Sequence, residues 1–184
     1  MYRKCVTEVS ARHQKQVEQA LLELMGKIPY EDITVTQLCR AANVTRRVFY
    51  HLFSNKTDAL LAMLDHTLLD TDNQHPEIPD PTLRFFLYWK DRKDLLDALR
   101  DNQLSGLLLE RMVQIVLDED YDLRSWVRSN GWDRDQDILI FHISGVMGLV
   151  YRWYYSDFRE SPEEMAALVS KIVTTPLSRE LPRN

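Results

Sequence analysis

The sequence predicts an all-α protein, and three features of its 184 residues support this prediction. Only five glycines occur, and no stretch alternates polar and apolar residues over the length of a β-strand. Apolar residues instead recur every three or four positions in successive segments, which is the spacing of one helical face. Residues whose side chains can cap a helix stand at the start of several of these segments. We therefore expect about nine helices.

The first predicted helix runs from about Ser10 to Met25, and the segment from Gly26 to Pro29 ends it. We expect its apolar stripe to pack across the next two helices and to fix the angle between them. The stripe consists of Val17, Ala20, Leu21, Leu24, Met25 and, beyond the helix, Ile28.

Residues 34–53 predict two short helices joined by a tight turn. Thr34 and Gln37 have the spacing of a capping box. Asn43 tolerates a left-handed backbone and can end the first helix, and Thr45 can cap the second. The second helix would bury Val48, Phe49, Leu52 and Phe53. It would expose Arg46, Arg47, Tyr50 and His51. Such a pair is the sequence form of a helix-turn-helix.

The rest of the chain also reads as helical. A helix capped by Asn55 carries a core face of Leu60, Leu61, Leu64 and Leu68, and residues 70–81 then interrupt the pattern with three prolines and four acids. Asp80 can then cap a helix that has Pro81 in its first position. Further helices are predicted around 83–90, 94–100 and 103–117, and 118–135 reads as irregular or short-helical. The most apolar helix covers 136–156. A final helix, capped by Ser161 and Glu164, extends to about Thr174.

Charge divides the chain at about residue 60. Residues 1–60 contain nine Lys/Arg and six Asp/Glu, a net charge of +3, whereas the remainder carries a net −8. An electropositive head on an acidic body suits phosphate binding at one end, although chance unevenness in a helical protein is the alternative. We therefore predict a helix-turn-helix DNA-binding domain at 1–60 and a helical ligand-binding and dimerisation domain at 61–184.

Four motifs in the head resemble the DNA-binding domain of the TetR (tetracycline repressor) family. They are PYEDITV at 29–35, AANVT at 41–45, FYHLF at 49–53 and NKTDAL at 55–60. The chain departs from the family pattern at Asn43, where glycine is usual, at Arg47 and Val48, where a small pair is common, and at Leu52, where many members have histidine. The body, with WKDRKDLLDAL at 89–99, also resembles the C-terminal domain of TetR-type regulators of low-GC Gram-positive bacteria.

DNA contacts are expected from Thr34, Thr36, Gln37, Thr45, Arg46, Arg47, Tyr50, His51 and Lys56. An arginine fork suits guanine O6 and N7, so Arg46 and Arg47 would read bases, with phosphate contact alone as the alternative. The resemblance implies phosphate contact by the Tyr50 phenol and backbone contact by Thr36 and Lys56. The alternatives are a partly buried aromatic for Tyr50 and a solvated lysine for Lys56.

The resemblance also implies a homodimer, in which the last two long helices pair with those of a second subunit. The predicted interface residues are Phe141, Gly145, Gly148 and Leu149, and the glycines are equally compatible with packing inside one subunit. Four body aromatics are candidates for an effector pocket, although aromatics at helical spacing are often plain core. They are Phe85, Trp89, Trp132 and Trp153.

Other classes of protein find little support. None of the five histidines belongs to a metal-binding HExxH motif, no phosphate-binding glycine loop occurs, and no serine or cysteine stands in a nucleophile elbow, so we expect neither an enzyme nor a metal or other cofactor. Cys39 reads as a small buried thiol. No apolar stretch is long enough to cross a membrane, and a cytoplasmic protein is expected.

The sequence thus predicts a TetR-type repressor that binds a palindromic operator in double-stranded DNA as a homodimer. A small-molecule effector in the body would release it from DNA. The alternative is a DNA-binding regulator that a partner protein controls.

Overall fold

The computed structural model describes residues 7–70, 74–117 and 136–174, and within these ranges it contains nine α-helices and no strand. The predicted all-α fold is therefore confirmed. The helices are α1 (Glu8–Met25), α2 (Val35–Ala41), α3 (Arg46–Leu52), α4 (Lys56–Leu69), α5 (Pro81–Lys90), α6 (Lys93–Asp101), α7 (Ser105–Leu117), α8 (Gln136–Tyr155) and α9 (Pro162–Thr174). A single 3₁₀ turn, Tyr30–Asp32, lies between α1 and α2. The predicted irregular segment 118–135 lies outside the described residues.

Side-chain caps begin most of the helices at the predicted residues, because each supplies an acceptor for a backbone N–H at the first turn. These caps are Thr34, Thr45, Asn55, Asp80 and Ser161. Helix α1 begins two residues before the predicted Ser10. There Thr7 and Ser10 form a reciprocal capping box, in which the Thr7 hydroxyl accepts from the Ser10 backbone N–H at 3.1 Å.

Asn43 and Gln103 adopt the left-handed conformation and lie in turns beside helix ends. Asn43 has φ 53°, as predicted, and the Val44 N–H donates to the Cys39 carbonyl at 3.0 Å, which closes the end of α2 as a Schellman motif. Gln103 has φ 59° and lies in a turn, so the helix predicted around Gln103–Leu117 begins two residues later. That helix, α7, begins at Ser105.

The chain divides by contacts into two compact units. Unit 1 comprises Met1–Asp70 and Arg92–Leu123, and so contains α1–α4, α6 and α7. Unit 2 comprises Thr71–Asp91 and Arg124–Asn184, and so contains α5, α8 and α9. Helices α4, α6 and α7 thus pack with the head. The boundary predicted at residue 60 concerns function and remains a prediction.

The core of unit 1 forms where α1 packs against α2, α3, α4 and α6. From the predicted stripe of α1, Val17, Ala20, Leu21 and Met25 are buried, and Leu24 and Ile28 are half-buried. Phe49 of α3 and Leu64 of α4 are fully buried. The stripe therefore packs α1 against α2 and α3, as the sequence predicted.

Two polar pairs cross the core of unit 1. The Asp65 carboxylate of α4 is fully buried and accepts two hydrogen bonds from the Arg111 guanidinium of α7, at 2.7 and 2.6 Å. On the other side of α4, the His66 ring lies 3.0 Å from the buried Glu18 carboxylate of α1. The hydrogen bond to Glu18, despite partial burial, raises the pKa of His66 above its ordinary value. Helix α4 is therefore tied to two helices by neighbouring residues.

Unit 2 is built around aromatic side chains. Phe86 and Trp153 are fully buried and meet edge to face with ring centroids 5.6 Å apart. Phe158 also meets Trp153 edge to face, with ring centroids 4.8 Å apart. Such edge-to-face pairs add about 0.5–1.5 kcal/mol each to the burial of the rings. Among the helices described in either unit, none is both long and apolar enough to cross a bilayer.

Candidate nucleic-acid interface

Helix α3 has a buried face and an exposed face, as the sequence predicted. Phe49, Leu52 and Phe53 are buried in unit 1, and Val48 is half-buried. The opposite face is exposed to solvent. It consists of Arg46, Arg47, Tyr50 and His51.

The exposed face of α3 carries donors that the protein itself does not use. The side chains of Arg47 and His51 make no hydrogen bond or ion pair with any described residue. The Arg46 guanidinium lies over the Tyr50 ring, 5.7 Å from its centroid, and so is oriented by a cation–π contact one turn along the helix. Tyr50 itself is 48% exposed, although its ring meets Phe49 edge to face. This exposure favours the predicted phosphate contact over the alternative of a core aromatic.

Helix α2 presents its first turn beside α3. Thr36 and Gln37 are exposed, but the Gln37 side-chain oxygen accepts from the Thr34 backbone N–H at 2.9 Å and from the Thr34 hydroxyl at 2.7 Å. Both members of this capping box are therefore engaged in starting the helix, whereas the Thr36 hydroxyl is not. Similarly, Thr45 caps α3 by accepting from the Val48 N–H at 3.2 Å.

Lys56 has an internal role that the sequence did not reveal. Its half-buried side chain folds back over the Tyr30 ring, and its ammonium donates to the Tyr30 and Glu31 carbonyls at 2.7 and 2.8 Å. Lys56 is thus not the freely solvated lysine of the alternative interpretation. An ammonium has three N–H groups, so one remains for a DNA phosphate, and that contact remains a prediction.

The same 3₁₀ turn is held from a second side by Asn102, at the end of α6. The Asn102 side-chain oxygen accepts from the Tyr30 N–H at 2.5 Å, and its amide nitrogen donates to the Met25 carbonyl at 3.2 Å and the Ala98 carbonyl at 2.7 Å. Sequence reasoning missed this residue, because two of its partners, Tyr30 and Met25, lie more than 70 positions away. The turn that leads into α2 is therefore anchored to both α4 and α6.

Cys39 is buried at the centre of α2, and burial raises the pKa of its thiol above the ordinary value, although the positive charge of Arg46 acts in the opposite direction. A raised pKa reduces the fraction of reactive thiolate. This supports the interpretation of Cys39 as a packing residue.

The residues predicted for the dimer interface lie on the outer side of α8. Phe141 is 63% exposed, Gly145 and Gly148 are exposed, and Leu149 is half-buried. A Cβ placed on either glycine would meet nothing within 4 Å beyond the helix itself. The glycines therefore do not serve close packing against any other residue that the structure describes.

The residues predicted for an effector pocket lie in different surroundings. Trp153 is fully buried and its indole N–H donates to the Glu160 carbonyl at 2.8 Å, as expected of a core residue. Trp89 is also fully buried and its ring neighbours half-buried Phe85, but its indole N–H has no hydrogen-bond partner among the described residues. Trp132 lies outside the described residues.

Comparison with known proteins agrees with this geometry. Residues 19–63 match the sequence profile described as "Bacterial regulatory proteins, tetR family". The matched segment begins in the second half of α1, contains α2 and α3, and ends within α4. No curated protein matches the chain. The all-helical chain thus carries a TetR-type helix-turn-helix domain, which supports a DNA-binding transcriptional regulator.

Proposed function

We propose that this chain, with its TetR-type helix-turn-helix at residues 19–63, is a transcriptional repressor that binds a palindromic operator as a homodimer and is released by an effector. The observation that carries DNA binding is the outer face of α3, where Arg47 and His51 have unused donors beside the exposed phenol of Tyr50. Unit 1 buries the other face of α3 and so holds these donors outward. The regulator would act in the cytoplasm.

In this proposal, base reading and backbone contact fall to different residues. Arg46 and Arg47 extend from the first turn of α3 and would read base edges in the major groove, where guanine offers two acceptors to one guanidinium. Thr36, Tyr50 and the remaining N–H of Lys56 would contact phosphates and set the register of the head on the duplex. Thr34, Gln37 and Thr45 would act mainly through the helix caps, and His51 would touch a phosphate or a thymine methyl.

The experiment that tests this function is selection of bound duplexes from a random DNA pool by the purified protein. We expect enrichment of an inverted repeat. Arg46→Ala and Arg47→Ala should weaken operator binding, and at least one should relax base preference by about 1–3 kcal/mol. Lys27→Ala removes one exposed positive charge from the end of α1 and is the control. If neither arginine variant changes the selected motif, α3 is not the reading helix.

The outer stripe of α8 supports the dimer. Its exposed residues recur at alternating spacings of three and four, which is the heptad pattern of helices that pair along a seam. They are Ile138, Phe141, Gly145, Gly148, Arg152 and Tyr155. The apolar side chains of this stripe would be exposed to water in a single subunit, and a partner helix would cover them. The two glycines would let that helix approach closely. A second copy of α8 is the partner that we propose.

The effector that we propose is a ring-bearing, neutral or cationic molecule with a hydrogen-bond acceptor. Residues 61–184 carry a net charge of −8, which disfavours a polyanion. Arg152 does not offset this charge for an anionic ligand, because its guanidinium nitrogen lies 2.6 Å from a carboxylate oxygen of Glu160. The buried Trp89 indole N–H without a partner costs about 1–3 kcal/mol, and an acceptor on a ligand beside Phe85 would recover it.

Control by a partner protein is the second candidate, because the full burial of Trp89 and Trp153 is also what plain core residues would show. A panel of aromatic molecules, screened for thermal stabilisation and operator release, separates the two candidates. Release by a neutral or cationic ring compound, lost in Trp89→Phe, supports the small effector. If no compound releases the DNA and only a protein fraction does, the partner-protein candidate is favoured.

A further inference from the structure

An open groove of about 620 Å³ lies in unit 1 between the beginning of α1 and the recognition helix α3. Its α3 side is formed partly by residues of the exposed face. Its α1 side is formed by residues that sequence reasoning did not connect with DNA. The lining residues are Thr7, Val9, Ser10 and His13 from the α1 side, and Arg47, Val48, Tyr50, His51 and Leu52 from α3.

The nitrogen-bearing side chains that line the groove are those of His13, Arg47 and His51. Of the residues that the structure describes, nine line the groove and none of these is acidic, in a chain whose formal net charge is −5. None of these three side chains makes a hydrogen bond or ion pair with another described residue. The groove therefore concentrates unused N–H donors and positive charge, which is complementary to a phosphate.

The remaining lining is mostly apolar, and two of its side chains are unusually exposed. Val9 is 54% exposed and Tyr50 is 48% exposed, and they belong to α1 and α3 respectively. Unused donors beside an apolar surface match the alternating chemistry of a DNA strand, in which charged phosphates are joined by apolar sugar faces. A partner rich in acids alone would leave the apolar part of the groove uncovered.

We infer that this groove holds a segment of the DNA backbone, with the His13 imidazole donating to a phosphate and Val9 packing against the adjoining deoxyribose. The inference rests on the proposed function, because the groove is continuous with the face of α3 that would read the operator. It extends the interface from α2 and α3 onto α1. Arg47 lies where the groove meets the exposed face of α3. Its guanidinium would contact either a base edge or a phosphate of the strand that the groove holds.

The test uses full-length protein and operator duplexes in which single phosphates are replaced, one at a time, by uncharged methylphosphonates. In wild-type protein, one replacement in each half-site should weaken binding about three- to tenfold through loss of the His13 contact. In His13→Gln and His13→Ala, binding to unmodified operator should weaken by a similar factor. That same replacement should then have no further effect. Unchanged sensitivity at every phosphate overturns the inference.

Two controls keep the outcome clear. Gln19→Glu changes the charge of α1 about 9 Å further along the helix, outside the groove, and should alter binding less than His13→Glu does. The glutamine variant guards against misfolding, because it keeps a polar side chain at a half-buried position. If the wild type selects no inverted repeat, the proposed function itself fails. If it does, and the His13 variants bind as the wild type does, only the groove contact fails.

Discussion

The contacts within unit 1 differ in kind from the contacts within unit 2. In unit 1, hydrogen bonds join residues far apart in the chain: Asp65 with Arg111, Glu18 with His66, and Tyr30 with Asn102. In unit 2 the central contacts are between aromatic rings. Its Trp153–Glu160 and Arg152–Glu160 hydrogen bonds span only seven and eight residues.

This difference matches what each unit is proposed to do. Hydrogen bonds are directional, so they fix the angle of a helix that must place side chains against base edges. Aromatic packing tolerates small displacements. Among the described residues, unit 2 also shows an exposed apolar stripe on α8 and a Trp89 indole N–H without a hydrogen-bond partner. The stability of unit 1 should therefore fall when polar side chains are removed. Unit 2 should respond instead to binding of a second subunit or an effector.

The largest effect is expected from Arg111→Ala. The substitution leaves the fully buried Asp65 carboxylate without its guanidinium, and breaking a buried ion pair costs about 3–5 kcal/mol. Urea unfolding followed by circular dichroism measures the loss. Arg100→Ala removes an arginine from exposed pairs on α6 and should cost about 0–1 kcal/mol. Equal losses in the two variants would contradict the contrast between buried and surface pairs.

The next effect concerns the stripe of unit 2. Gly148→Leu should weaken self-association at least about tenfold, because the larger side chain would keep a second α8 at a distance. The same substitution has space in the isolated chain. Gly106→Leu on α7 is the matched control, since that glycine is also exposed and surrounded by open space. Sedimentation velocity at micromolar concentration decides, and a monomeric wild type would remove the dimer from the proposal.

Lys56→Ala should lower the stability of unit 1 by about 1–2 kcal/mol, because two hydrogen bonds from a charged donor to carbonyls are lost. Lys15→Ala, which removes an exposed lysine of α1, is the control. If Lys56 also contacts a phosphate, the slope of the logarithm of the operator-binding constant against the logarithm of salt concentration should become less steep by about one in the variant. An unchanged unfolding midpoint with a flattened salt dependence would mean that Lys56 acts on DNA alone.

The smallest effect separates the two units by pH. Because the pKa of His66 is raised in the folded chain, its stabilisation is complete below the unfolded value of about 6.5 and is lost as pH rises through the folded value. Burial lowers the pKa of His142 in unit 2, so its contribution is present above about 6.5 and is lost as pH falls toward and through the folded value.

Urea midpoints of wild type, His66→Gln and His142→Gln, measured between about pH 5.5 and 8, test both signs. The difference between wild type and His66→Gln should shrink as pH rises. The difference for His142→Gln should change in the opposite direction. Parallel pH profiles for all three proteins would show that neither histidine is coupled to folding.

Local signals made the head predictable from sequence. The capping residues Thr34, Thr45 and Asn55 and the left-handed Asn43 act within four positions of their partners, so a reader of the sequence sees both members of each interaction. The exposed face of α3 followed from helical spacing alone. These are interactions that short-range pattern can encode.

Long-range partners could not be predicted in the same way. Nothing near Asp65 or Asn102 indicates an arginine or a backbone turn that lies 46 to 77 residues away, and Lys56 resembled a surface lysine until Tyr30 was placed beside it. Trp89 and Trp153 both lie in aromatic-rich segments of the sequence. Only the structure shows that one indole N–H has a partner and the other does not.

The separation of Asp65 from Arg111 has a consequence for synthesis of the protein on the ribosome. Arg111 lies 46 positions after Asp65, and at a typical elongation rate of about 5–20 residues per second this stretch takes about 2–9 s to translate. During that interval the nascent chain already contains α1–α4, with every local cap of the head, but lacks the guanidinium that its buried carboxylate requires. The helix-turn-helix can therefore form early, whereas its final anchoring must wait for α6 and α7 to emerge.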